Sequence, residues 1–100
     1  MKNKLIIAIL LLVSTLVYSQ NKRGIDYYKD AAEQGNAEAQ ISLGLMYYNG
    51  EGVEKNYTEA LKWFRKAAEL GNPKAQNSLA KCYEHGLGVK INHQEVIKWY

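Results

Sequence analysis

The chain has 100 residues, one cysteine and a formal charge of +3, which allows one small domain and excludes a multidomain architecture. Thirteen basic residues oppose ten acidic ones. No clustered basic face of the kind nucleic acid needs stands out, so no nucleic-acid partner is expected. A single thiol, Cys82, cannot staple its own chain.

The first element in chain order is a targeting segment. Lys2 and Lys4 precede an almost wholly apolar run from Leu5 to Val17, and Val17-Tyr18-Ser19 closes it with a small residue. This is the pattern of a bacterial secretory signal peptide spanning residues 1–19. The run is shorter than the roughly 20 residues a transmembrane helix needs, so no span is expected after cleavage. An uncleaved anchor is the alternative. Removing Lys2 and Lys4 would leave eleven basic residues against ten acidic ones, close to neutrality. The expected location is secreted or periplasmic.

The remainder of the chain repeats itself. Residues 31–64 recur as residues 67–100 at an offset of 36 without a gap, and half of the aligned positions are identical. A period of this length marks an array of helical hairpins. An incomplete unit over 20–35 ends in a helix from about Ile25 to Gln34, closed by Gly35. The full unit, 36–71, opens with Asn36 as N-cap of a helix from about Ala37 to Asn49. Gly50 and Gly52 break that helix. Asn56 caps a second one from about Tyr57 to Leu70, with Glu59 placed as in a capping box and Gly71 as terminator. The last unit, 72–100, repeats the signals with Asn72, Pro73, Gly86, Gly88, Asn92 and Glu95. Proline suits the first helical place because its missing N–H would have no partner there.

The expected core comes from helical spacing. Ala39, Leu43 and Tyr47 share one face, as do Ala75, Leu79 and Tyr83. Ala60, Trp63, Phe64, Ala67 and Ala68 form the stripe of the second helix. Gly44 and Ala80 occupy one slot, where a small residue implies close helix approach.

The composite Ala39-x3-Leu43-Gly44-x2-Tyr47-x2-Gly50-x-Gly52-Val53, then Ala60-x2-Trp63-Phe64-x2-Ala67-Ala68-x2-Gly71, resembles the Sel-one-like repeat, a relative of the tetratricopeptide repeat with a longer, glycine-marked turn. The resemblance covers the chain from Gly24 onward. It implies an all-α fold, a right-handed α-solenoid of antiparallel helix-turn-helix units, and a role as an adaptor in protein complexes. Some cysteine-rich exported members of the family bind or hydrolyse β-lactams. This chain lacks the paired cysteines of that branch, and carries Ala80 in the glycine slot and Val96 in the alanine slot.

The search for catalytic chemistry is nearly empty. Cys82 and His85 are three residues apart, but their first-unit counterparts are Met46 and Asn49, and no third group orients them. Cys82 reads as a buried packing residue in the place of Met46. Cys82, Glu84, His85 and His93 match no standard zinc spacing. No catalytic, metal or cofactor site is expected. The glycine pairs are turns, not phosphate loops, and Asn56-Tyr57-Thr58 is a helix cap before it is a glycosylation site.

Where the units differ, a surface emerges. Glu38, Ile41, Leu45 and Tyr48 of the first unit oppose Lys74, Asn77, Lys81 and Glu84 of the second, at steps of three, four and three along one helical face. First helices line the groove of stacked hairpins, so these eight residues are the expected binding site for an unidentified protein or peptide. The bland alternative packs Ile41 and Leu45 on the preceding helix and solvates the charges. The chain stops at Tyr100, inside the second helix of its last unit. The reading is therefore a fragment of a longer array, or a protein completed by a partner or by self-association through its open C-terminal end. The function expected is that of an exported protein-binding scaffold; the alternatives are a β-lactam-binding or hydrolysing enzyme and a fragment without separate function.

The first expected outcome concerns processing. Intact mass of the protein from its native host, without reductant, should match a chain beginning at Gln20. A doubled mass would mark a Cys82 disulfide, and a larger single-chain mass a continuation past Tyr100.

Overall fold

A computed structural model describes the backbone of residues 2–100 and the side chains of residues 3–13 and 24–100. The expected cleavage residues Val17, Tyr18 and Ser19 have side chains outside the described residues. Among the described residues five helices occur in order: α1 (Lys2–Glu33), α2 (Ala37–Asn49), α3 (Tyr57–Glu69), α4 (Pro73–His85) and α5 (His93–Trp99). No strand occurs among the described residues. Each helix packs on the next in sequence, giving an elongated body of 63 × 28 × 15 Å.

The helix starts are set by asparagine. The side-chain oxygens of Asn36, Asn56, Asn72 and Asn92 accept from backbone N–H groups two or three residues on, at 3.0–3.3 Å. Each cap satisfies donors that the first turn leaves without helical partners. The capping box is only half formed. Asn56 N–H donates instead to the Tyr47 carbonyl at 2.8 Å, and Asn92 N–H to Tyr83 at 3.1 Å. The cap N–H thus ties the second helix of each hairpin to the first. Glu95 accepts from the Trp99 indole at 3.1 Å.

The helix ends are set by glycine. At α1 and α3, Gly35 and Gly71 take φ of 93° and 88°. Their N–H groups donate to the Ala32 and Ala68 carbonyls, and those of Asn36 and Asn72 to Ala31 and Ala67. This paired closure is the Schellman arrangement, and it explains why the Ala-Ala pair and the glycine recur together. The expected helix start near Ile25 is not a boundary, because α1 runs unbroken from Lys2. The only proline of the chain is Pro73, so nothing obligatorily breaks that helix.

Two linked clusters form the core. Ile25, Ala32, Ala39, Leu43 and Trp63 join α1, α2 and α3. Ile41, Ala60, Phe64, Ala67, Ala75 and Leu79 lie in the other, with Cys82 and Tyr83, and join α2, α3 and α4. Gly44 lets the helices close. A Cβ there would stand 2.6 Å from Phe64 Cε1. Gln40, 4% exposed, donates to the Ala32 carbonyl at 3.1 Å, and Gln76 donates to Ala68 at 3.3 Å. These amides pin each unit to the helix before it.

Between units, backbone also approaches backbone. A Cβ on Gly88 would lie 2.7 Å from the carbonyl carbon and oxygen of Tyr57 and 2.9 Å from Thr58 N. The turn after α4 therefore rests on the start of α3, and its φ of 74° also disfavours any side chain. Gly88→Ala should lower stability by at least ~2 kcal/mol in urea unfolding. Gly24→Ala should instead raise it by about 1 kcal/mol, since Gly24 is helical with nothing within 4 Å of its Cβ position.

Candidate functional site: a groove on the first helices

The expected binding face is only partly a surface. Glu38, Leu45, Lys74, Asn77, Lys81 and Glu84 are exposed and Tyr48 is half-buried. Ile41 is a correction. At 5% exposure it belongs to the core cluster that includes Ala75 and Leu79 of the next unit. Its counterpart Asn77 lies in the last unit and is exposed. Glu38 is also partly engaged, since its carboxylate accepts from Asn72 Nδ2 at 3.1 Å across the unit boundary. Glu84 accepts from the Tyr100 hydroxyl at 3.3 Å.

Three of the expected residues do converge. Leu45, Tyr48 and Lys81 line a depression of about 130 Å³ between α2 and α4, with Ser78 on its wall and Phe64 of α3 at its floor. Tyr48 is held there by edge contacts with Tyr57, ring centroids 5.2 Å apart, and by a tilted contact with Phe64 at 6.4 Å. The floor is apolar, and the cation on its rim is Lys81.

A second depression of about 280 Å³ lies beside α1 and α2, lined by Tyr28, Ser42, Leu45, Met46 and Glu51. Leu45 borders both. Tyr28, Ser42, Ser78, Phe64 and Glu51 were not among the expected site residues. Ser42 and Ser78 are identical between units, and so read as scaffold. A signal did exist, because Ser42 lies three residues before Leu45 and Ser78 three before Lys81, on the same helical face.

Cys82 is 1% exposed, and burial pushes its thiol up from 9.0 to about 11. It is therefore protonated at neutral pH, when a nucleophile or metal ligand must be a thiolate. His85 is exposed at the end of α4. No three His, Cys, Asp or Glu side chains among the described residues are placed to hold a metal ion.

The repeat geometry has counterparts among known proteins. The Sel1 repeat model matches residues 15–36, 37–72 and 73–100. The chain belongs to the Sel1 repeat family. The crystal structure of a Sel1 repeat protein from Oxalobacter formigenes is similar, with a TM-score of 0.77 and 43% identity. That match covers 79% of this chain and 32% of the other. The structure of c5321, a protective antigen present in uropathogenic Escherichia coli strains and displaying an SLR fold, is similar with a TM-score of 0.72 and 47% identity. It matches over 74% of this chain and 16% of its own. The Sel1 chain described here thus spans a third or less of these two proteins. Among curated proteins none matches. The Sel1 units end at residues 36 and 72, each one residue beyond the expected limits, and the first match begins within the expected signal segment.

Burial of the Cys82 thiol ties stability to pH. The folded state holds the proton more tightly than the unfolded state, so its contribution is complete below about 9 and is lost as pH rises through about 11. Wild type should lose on the order of 2 kcal/mol over that window relative to Cys82→Ala, measured by unfolding at pH 8 and pH 11. At pH 8 an aromatic disulfide reagent should react only after denaturation.

Proposed function

We propose that this chain is an exported, non-enzymatic scaffold that binds a protein or peptide along the groove of α2 and α4. The observation that carries the reading is the convergence of Leu45, Tyr48 and Lys81 around one depression floored by Phe64. Phe64 is core in both sequence and structure, whereas Leu45/Lys81 and Tyr48/Glu84 are pairs that differ between units. A fixed apolar floor with variable walls is how a repeat scaffold is adapted to a particular partner.

Export rests on the N-terminal pattern. Lys4 precedes a run in which Leu5, Ile6, Ile7, Ile9, Leu10 and Val13 stay exposed on α1, an apolar segment suited to a secretion signal. Among the described residues no helix is long and apolar enough to cross a membrane. A catalytic role finds less support, since the only thiol is buried and protonated.

A photo-crosslinking residue tests the groove. Placed at Leu45 in the native host, it should yield one dominant protein adduct. Placed at Lys62, exposed on α3, it should yield none. Leu45→Ser should retain helicity, because Leu45 is 41% exposed, and should weaken partner binding about tenfold, as loss of a large apolar anchor does. Equal adducts from both positions would overturn the groove reading.

A further inference from the structure

The two depressions are one site repeated. Tyr28, Ser42 and Leu45 of the depression beside α1 and α2 become Phe64, Ser78 and Lys81 of the one between α2 and α4 when 36 is added to each number. Each has an aromatic ring from the preceding second helix, a serine hydroxyl, and one residue that differs between units. The depression beside α1 and α2 adds the Glu51 carboxylate; the one between α2 and α4 carries the Lys81 ammonium. Leu45 stands between them as a shared apolar wall. Neither Glu51 nor Lys81 makes a side-chain ion pair among the described residues. By contrast, Glu38 and Glu84 on the same helical face already accept hydrogen bonds from Asn72 and Tyr100.

Resting on the groove reading above, we infer that the ligand is an extended peptide segment of opposite polarity. It places a lysine or arginine at Glu51, an apolar side chain against Leu45, and a glutamate or aspartate at Lys81. Charge complementarity fixes its direction along the solenoid, since reversing the segment sets like charges against each other at both ends. An extended chain suits two sites set one repeat apart, because alternate side chains share one face and can reach both depressions while the backbone runs along the groove. Both charges sit at the rim and remain hydrated, so each contributes modestly to affinity and strongly to orientation.

The test uses four fluorescein-labelled peptides with a central leucine and the protein purified from its native host. Two carry Arg on one side and Glu on the other, in opposite orders; one carries Glu on both sides and one Ser on both. Fluorescence anisotropy should show one bipolar order binding tightest, roughly threefold tighter per correct charge than the serine peptide, with the advantage falling as salt rises. The double variant Glu51→Lys with Lys81→Glu should exchange the preference between the two orders. Both side chains lie at the surface, so unchanged helicity is expected and serves as the control. Equal binding by bipolar and serine peptides would overturn the charge pairing while leaving the groove reading in place. Binding by none of the four would overturn the pairing as well, and the crosslink from position 45 would then decide the groove reading alone.

Discussion

The stack depends on how near two helices can come when one of them lacks a side chain. Where a Cβ on Gly44 would be, the ring of Phe64 already lies within 2.6–3.3 Å. That proximity buries Phe64 to 1% exposure and makes it the floor of the groove. The corresponding pair in the last unit is Ala80 and Tyr100. Alanine supplies the atom that glycine omits, and Phe64 is covered besides by the α4 residues Ala75 and Leu79. Tyr100 is 63% exposed and turns its hydroxyl to Glu84.

Much of this was legible in the sequence, because the signals were local. Asn36, Asn56, Asn72 and Asn92 accept hydrogen bonds from residues no more than three positions on. Gly35 and Gly71 close their helices with bonds to carbonyls at most five residues back. Such contacts are written in short windows, and the bounds of α2, α3 and α4 are legible to within a residue. The reciprocal half of the capping box was not legible. The Asn56 N–H is claimed by Tyr47 from another helix, and a local motif cannot register that competitor. The start of α1 was obscured for a different reason, since the apolar N-terminal run and the repeat helix both favour helix and no proline divides them.

The groove was half legible. Differences between units separate residues the scaffold fixes from those it leaves free, and Leu45, Tyr48 and Lys81 stand out in that way. Ile41 marks the limit of that separation. Its identity differs from Asn77, yet it is buried in a cluster that spans the unit boundary. Variation between two units therefore mixes two causes: freedom at a surface, and a difference in what lies alongside. The serines stayed hidden for the converse reason. Ser42 and Ser78 are alike because the depression itself recurs, so a repeated residue can belong to a repeated site.

The α5 helix carries a consequence for how the molecule opens. Its seven residues include none that is buried, although Val96, Trp99 and Tyr100 occupy the places of Ala60, Trp63 and Phe64, which are 0–4% exposed. In a linear array the unfolding free energy of each segment is the sum of its own helix terms and its contacts with immediate neighbours. Within these 100 residues, α5 rests on its Asn92 cap, the Asn92–Tyr83 backbone bond and contacts with α4. Amide exchange in a chain of this span will therefore proceed from α5 by local opening while α3, held on both sides, exchanges only when most of the array unfolds. The floor of the groove between α2 and α4 is Phe64, which belongs to that doubly held helix.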